Sequence, residues 1–281
     1  MPTVAYQGEP GAYSEQAAMD YFGSQTTPHP RPTFEAVFAS VTNADSDYGV
    51  VPVENSLAGS IHRNYDLLMR NNLFIIGEVI LRISHNLITL PGVQISDIKR
   101  VYSHWQALDQ CEQSITHMLP GVERVQVYDT AGSVKMLAEE QRTDTAAIAS
   151  KRAATLYGLP ILREAVEDDP TNYTRFAVLS RQPAEVAAGT PCKTSIVFAT
   201  RNAPGSLFRS LAAFSLRDID LTKIESRPLQ GSPWEYLFYL DFLSNPRDGA
   251  GKHAIEHLSE QTTVLRVLGS YARAANRTQN A

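Results

Sequence analysis

Over roughly the first 180 residues, short apolar, β-branched runs alternate with segments of helical length, and the joints between them are rich in small and hydroxyl residues. That alternation restricts the chain to open α/β sheets with helices packed on their faces. Thr3 to Gln7 reads as a strand, and Gly8-Glu9-Pro10-Gly11-Ala12-Tyr13 as a turn-rich loop. Ser14 is placed to cap a helix over Glu15 to Phe22, and Thr33 to cap one over Phe34 to Thr42. Tyr48 to Val53 is a buried strand ending in Glu54-Asn55-Ser56-Leu57-Ala58-Gly59-Ser60, and a helix from Ile61 to Arg70 follows. Leu73 to Leu90 is extended, interrupted at Arg82 and Ser84-His85-Asn86, as expected of one or two strands crossing between lobes. Lys99 to Ser103 is a strand, His104 to Met118 a helix, and Arg124 to Tyr128 a strand. Asp129-Thr130-Ala131-Gly132-Ser133 opens a helix over Val134 to Gln141. Thr145 to Ala149 is a strand, Ser150 caps Lys151 to Tyr157, and Gly158 suits a left-handed stop. Leu159 to Leu162 is expected to return toward the first lobe.

In open α/β sheets, ligands bind beyond the carboxyl ends of the strands. Glu54, Asn55 and Ser56 stand at one such end, and Thr130 with Ala131 and Gly132 at another, where a helix start favours anions. His104, at a third, is either a ligand donor or a helix cap. Glu167 to Tyr173 is a polar loop broken by Pro170, and it feeds a strand over Thr174 to Leu179. A hydroxyl and a guanidinium, Thr174 and Arg175, therefore sit where a loop enters a buried strand. The Gly8 to Ser14 loop also offers N–H groups to an anion, but it has neither the Gly-Lys-Ser/Thr of a P-loop nor the glycine spacing of a dinucleotide fingerprint.

Residues 182–192 form a linker by composition, after which the pattern restarts. Strands at Lys193–Thr200, Ile219–Ser226, Trp234–Leu243 and Val264–Leu268, with helices at Gly205–Leu216 and His253–Glu260, give βαββαβ, the ferredoxin-like order. Residues 272–281 read as a frayed tail. The net charge of −5 and the lack of a Lys/Arg run argue against nucleic-acid binding. No apolar run is long enough to cross a membrane as a helix. Cys111 and Cys192, the two cysteines, lack metal-type spacing. The N-terminus has no basic start and apolar core of a secretory signal, so a cytoplasmic protein is expected.

Several stretches together resemble one family. Gly8-Glu9-Pro10-Gly11-Ala12-Tyr13-Ser14, Pro52-Val53-Glu54-Asn55-Ser56-Leu57-Ala58-Gly59-Ser60, Ser103-His104 through Gln110-Cys111, Asp129-Thr130-Ala131-Gly132 and Asn172-Tyr173-Thr174-Arg175-Phe176 look like prephenate dehydratase, in the family's order. The second domain resembles an ACT domain, with Ala203-Pro204-Gly205-Ser206-Leu207 in its first turn and Glu225-Ser226-Arg227-Pro228 after its second strand.

The resemblance implies a two-lobed catalytic domain like a periplasmic binding protein over residues 1–181. Its lobes would be about 1–80 with 160–181, and 81–159. A ferredoxin-like ACT domain would follow over 193–271. It implies loss of water and CO2 from prephenate to give phenylpyruvate, a carbon–oxygen lyase reaction of phenylalanine biosynthesis. Aromatisation drives that reaction, so neither metal nor organic cofactor is expected. Thr174 matches the family's catalytic threonine and would protonate or polarise the departing hydroxyl. Asn55, Ser56 and Thr130, with the amides near Ala131 and Gly132, would hold carboxylates. Arg175 would pair with a carboxylate, or with Glu54 or Asp169 to brace the loop. Glu54, Gly59, Ser103, His104 and Phe176 would complete the substrate site. Pro204, Gly205, Ser206 and Leu207, with Glu225, Ser226, Arg227 and Pro228, would bind phenylalanine as effector at a subunit interface of a homotetramer or dimer. Two residues depart from the family pattern. Trp105 stands in place of proline, and Asp129 in place of the serine of many members. An aspartate there could pair with the ammonium of arogenate, so arogenate is an alternative substrate. No helical segment for a fused chorismate mutase precedes the first strand, so a monofunctional enzyme is expected.

Overall fold

The computed structural model describes residues 1–187, 189–229, 235–247 and 249–274. The chain forms two compact units, residues 1–67 with 79–176, and residues 68–78 with those from 177 onward. In order, the elements up to the end of the first unit are β1 (Thr3–Gln7), α1 (Tyr13–Phe22), β2 (Thr27–Arg31), α2 (Phe34–Thr42), β3 (Tyr48–Asn55), β4 (Gly59–Ser60), α3 (His62–Arg70), β5 (Phe74–Arg82), β6 (Asn86–Ile88) and β7 (Arg100–Ser103). They continue with α4 (Trp105–Gln110), α5 (Glu112–Met118), β8 (Glu123–Gln126), α6 (Thr130–Glu140), β9 (Thr145–Ala149), α7 (Lys151–Tyr157), β10 (Ile161–Arg163) and β11 (Tyr173–Ser180).

Two sheets result. The first has the order β2-β1-β3-β11-β5, with β4 folded back on β3; the second has the order β10-β6-β9-β7-β8. β1 runs parallel to β2 and β3, and β7 parallel to β8 and β9, as α/β crossovers require. Buried Val, Ile and Ala residues of β6, β7 and β9 join Val134 and Leu137 of α6 in the core of the second sheet.

Several local expectations differ from the structure. β2 was not expected, because Thr27-Pro28-His29-Pro30-Arg31 carries two prolines. It is an edge strand: the N–H of Thr27 goes to the Pro2 carbonyl, and the Arg31 carbonyl accepts from Gly8, so the alternate residues Pro28 and Pro30 turn their N–H-less side outward. α1 begins at Tyr13, one residue before Ser14, and has no side-chain cap. α6 begins at Thr130 because Asp129 caps it, four residues earlier than expected. The helix expected over His104 to Met118 breaks at Cys111 into α4 and α5. Leu159 to Leu162 does not return to the first lobe; β10 pairs antiparallel with β6 in the second sheet.

In the second unit, β12 (Cys192–Thr200), α8 (Ser206–Ser215), β13 (Leu221–Pro228), β14 (Tyr236–Phe242), α9 (Gly249–Gln261) and β15 (Thr262–Ala272) form one antiparallel sheet in the order β13-β14-β12-β15, the ferredoxin-like arrangement. Ile196, Phe198, Leu240 and Phe242 of the sheet pack on Phe214 of α8 and on Ala254 and Leu258 of α9. Trp234 and residues 275–281 of the expected tail lie outside the described residues. The Arg266 guanidinium in β15 donates to the carbonyls of Leu68, Met69, Asn71 and Leu73 at 2.9–3.3 Å, closing off the last turn of α3.

Gly269 of β15 lies against the backbone of β5: a Cβ there would run into the Ile75 carbonyl oxygen. Backbone cannot yield as a flexible side chain does. Gly269→Ala should therefore lower unfolding free energy by roughly 1–3 kcal/mol, the usual cost of overpacking, in a urea titration followed by circular dichroism.

Candidate active site

A cavity of about 380 Å³ in the first unit is lined from both of its sheets. Asn55, at the end of β3, is buried and held from both ends. Its Oδ1 accepts the N–H groups of Leu57 (3.1 Å) and Ala58 (2.9 Å). Backbone N–H groups only donate, so the orientation of this amide is fixed. Its Nδ2 donates to Asn172 Oδ1 (2.7 Å), Thr174 Oγ1 (2.9 Å) and the Tyr173 carbonyl (3.2 Å). Thr174, at the start of β11, lines the cavity. Its oxygen is engaged as an acceptor, so its own hydrogen, with no acceptor among the described residues, is free for a ligand. Polarisation by Asn55 strengthens that donor.

The other residues expected from the sequence divide between the cavity wall and the scaffold around it. Ser56 spends its hydroxyl on the loop, donating to the Thr171 carbonyl (2.8 Å) and accepting from the Tyr173 N–H (2.9 Å). Arg175 Nη1 lies 3.6 Å from Glu54 Oε2. Ser103 is fully buried and donates to the Ile148 carbonyl at 2.7 Å. Gly59 is exposed, with φ +78°, a turn conformation that glycine tolerates best. Phe176, Thr130 and His104 line the cavity. His104 also caps α4, its Nδ1 accepting from Gln106 N–H at a long 3.4 Å, and burial holds its imidazole below the ordinary range.

Both helix starts expected to hold an anion are filled by the protein's own carboxylates. The Gly11 N–H goes to Glu15 (2.6 Å), which Arg152 grips with two bonds of 2.9 and 3.0 Å. At α6, Asp129 Oδ1 takes the Gly132 N–H at 2.8 Å. Burial pushes the Asp129 carboxyl up, against the pull of N–H groups of Gly132, Ala131 and Glu9. The amides near Ala131 and Gly132 thus already face a carboxylate, and that carboxylate belongs to the cavity wall.

Sequence reasoning missed the polar residues Tyr13, His85 and Gln110 as members of the lining. Gln110 Oε1 receives Asn172 Nδ2 (3.0 Å) and lies 3.1 Å from His85 Nε2, so a continuous chain of bonds runs from Thr174 to His85. Gln110 stood inside a quoted motif without a role of its own, and His85 looked only like an interruption in an extended run. At the rim, Glu9 of the β1–α1 loop accepts from the Tyr128 hydroxyl (2.5 Å) and from Lys135 (3.2 Å), a bridge between the two sheets' sides of the cavity.

In the second unit, Gly205 takes φ +78° immediately before α8, which starts at Ser206, and Leu207 is partly exposed. Pro204 accepts through its carbonyl from Arg209, whose other terminal nitrogen reaches the Ser206 hydroxyl (3.2 Å). Glu225, Ser226, Arg227 and Pro228 close β13. β12 and β13 both pair antiparallel with β14, which lies between them, so the 204–207 turn and the 225–228 strand end lie at the same end of the sheet. Two strand spacings separate them, about 10 Å.

A family model described as prephenate dehydratase matches residues 4–184. The chain belongs to the prephenate dehydratase family. Arogenate dehydratase/prephenate dehydratase 2 of Arabidopsis thaliana is 48% identical over 277 residues, covering 95% of this chain and 72% of the relative. Among solved structures, the prephenate dehydratase of Arthrobacter aurescens in complex with L-Phe is 33% identical, with TM-score 0.89 over 97% of this chain and 90% of that one. GqqA, described as a novel type of quorum quenching acylase, is 34% identical with TM-score 0.89, covering 98% of this chain and 99% of that one. The fold class expected from the motifs and the dehydratase class of reaction follow from family membership. The expected cytoplasmic location is corrected: the Arabidopsis relatives numbered 1, 2 and 6 are chloroplastic.

Proposed function

We propose that this prephenate dehydratase family member converts prephenate to phenylpyruvate, water and CO2, performs the same elimination on arogenate, and is restrained by phenylalanine through its second unit. The observation that carries the catalytic reading is the Thr174 hydroxyl, turned by Asn55 so that its hydrogen is available to the cavity. As CO2 leaves, the electrons of its C–C bond enter the ring and the ring C–O bond breaks. The departing oxygen takes up one proton to become water. A threonine is too weak an acid to give up its proton early, so Thr174 acts by a hydrogen bond that strengthens as charge gathers on that oxygen. Gln110, with its NH2 unspent among the described residues, supplies a neutral donor for a carboxylate.

The double substrate range is supported by the buried Asp129 carboxylate in the wall. Prephenate is a dianion, and it meets like charge there. Arogenate replaces the side-chain keto group with an ammonium that Asp129 can accept, and the net repulsion falls. The Arabidopsis relative is named for both substrates. Control by phenylalanine is supported by the left-handed Gly205, at the same end of the sheet as the end of β13, and by the L-Phe complex of the Arthrobacter aurescens protein. The effector site is proposed to lie at an interface of a homodimer or homotetramer.

Thr174→Ala should reduce kcat on prephenate by about 10²-fold or more, read from phenylpyruvate absorbance, with unfolding unchanged; near-normal turnover removes Thr174 from the chemistry. Asp129→Ser keeps a capping hydroxyl and removes the charge. It should lower the ratio of kcat/KM for arogenate over prephenate by about tenfold or more, the worth of one charge-assisted bond. An unchanged ratio leaves Asp129 a helix cap only. Gly205→Leu should abolish inhibition by phenylalanine while basal turnover persists; retained inhibition would put the effector elsewhere.

A further inference from the structure

We infer that His85 is a positioning residue for this site: its Nε2–H turns the Gln110 side chain so that the amide NH2, and not the carbonyl oxygen, faces the cavity. The inference rests on the dehydratase reading, since it concerns the same cavity, and deepens it by assigning the residue that makes the wall an anion donor.

The argument is one of donors and acceptors alone. The N–H groups of Leu57 and Ala58 fix Asn55 Oδ1, so Asn55 Nδ2 points at Asn172. The Asn172 atom that meets it at 2.7 Å must be the oxygen, which leaves Asn172 Nδ2 facing Gln110 at 3.0 Å. The Gln110 atom receiving that N–H must in turn be Oε1. The same Oε1 lies 3.1 Å from His85 Nε2. An amide oxygen carries no hydrogen, so the imidazole must supply one. Gln110 is then left with its NH2, which has no partner among the described residues, and Gln110 lines the cavity. With a bare Nε2, the Gln110 amide would turn over. Its NH2 would then meet the NH2 of Asn172, and its oxygen would face the ligand. One proton on a buried ring thus decides whether this wall attracts or repels a carboxylate.

The rest of the surroundings hold the ring still. His85 is 2% exposed. Its backbone N–H is bound by Glu167 at 2.8 Å. Its Nδ1, the accepting nitrogen of a neutral ring protonated at Nε2, lies 3.0 Å from the Tyr13 hydroxyl, whose single hydrogen it shares with the Ser84 carbonyl 2.7 Å away. The Tyr13 ring packs on it edge-on, with centroids 5.7 Å apart. Burial holds the imidazole below its ordinary range, which favours the neutral ring. Neither Ser84-His85-Asn86 as a sequence nor the reaction itself otherwise accounts for a buried histidine here.

Glutamine and asparagine separate the two ring nitrogens. The glutamine NH2 reaches the place of Nε2; asparagine reaches only that of Nδ1. In the full chain, His85→Asn should lower kcat/KM on prephenate and arogenate by about 10- to 100-fold, the loss of one hydrogen bond to a charged group. Phenylpyruvate binding by titration should weaken in parallel. His85→Gln should stay within about threefold of the wild type, although both variants unfold at similar temperatures. Equal losses in the two variants, following their melting temperatures, would overturn the inference. So would a nitrogen-15 spectrum of the wild-type chain with the His85 proton on Nδ1 alone, a readout that needs no variant to fold. Should the wild type turn over neither substrate, the dehydratase reading fails by itself, and the tautomer and titrations still decide for or against His85.

Discussion

Two backbone N–H groups, those of Leu57 and Ala58, hold the whole polar wall of the cavity in one orientation by fixing the Asn55 amide. Every donor and acceptor from Thr174 to Asn172 takes its sense from them, and the His85 proton has to agree with that sense at Gln110. The turn that supplies these N–H groups is short, exposed at Ser56, Leu57 and Ala58, and folded back through β4. Ser56, which the sequence suggested as a ligand group, serves this turn: it ties the 171–173 loop to the end of β3, so that Asn55 and Asn172 meet. A site precise to a few tenths of an ångström thus depends on a surface turn whose side chains never reach the cavity.

The helix starts follow a different logic. In both α1 and α6, a carboxylate of the protein occupies the amides that a sequence pattern offers to a ligand. The gain is local: a buried N–H is satisfied and the helix start is stabilised. The consequence is global, because the cavity keeps a fixed negative group where an anion site was expected. Arg152 neutralises Glu15, but Asp129 is held by backbone N–H groups alone in what the structure describes, and burial raises its carboxyl. A ligand bringing a cation to Asp129 would relieve that strain, whereas one bringing only carboxylates must stay clear of it.

What could be read from the sequence was whatever depends on neighbours along the chain. Thr33, Ser150 and Gly158 were assigned as caps from local chemistry and have those roles in the structure. The βαββαβ order of the second unit was legible because strand and helix periods differ and each run is bounded by turn residues. β2 was not, because proline is tolerated only on an edge strand, and edge position is a property of the sheet. The start of α6 was misplaced because Thr130 to Ser133 was read as a ligand loop, when Asp129 was already the cap. Thr174 and Asn55 stood out from motif resemblance, but their relation did not: 119 positions separate them, and only the pairing of β3 with β11 brings the two side chains within 2.9 Å. Tyr13, His85 and Gln110 escaped notice for the same reason, since each is ordinary until the others are beside it.

Neutral amides suit the proposed reaction better than a guanidinium would. The carboxylate that leaves as CO2 loses its charge on the way to the transition state. A buried cation paired with it would stabilise the ground state more than the transition state and so slow the step. Arg175, for which the sequence left a ligand carboxylate or a bracing carboxylate open, lies beside Glu54. Arg63, a cation that does line the cavity, is bound by both oxygens of Glu35 at 2.7 and 2.8 Å. In the proposed reaction the amide wall would hold a carboxylate by direction and not by charge, and its grip would relax as that charge disappears. Thr174, by contrast, would donate to an oxygen on which charge increases. The two kinds of donor sit on one hydrogen-bonded chain but act on atoms whose charges change in opposite senses. That opposition is how a site without strong acids can favour the departure of both groups.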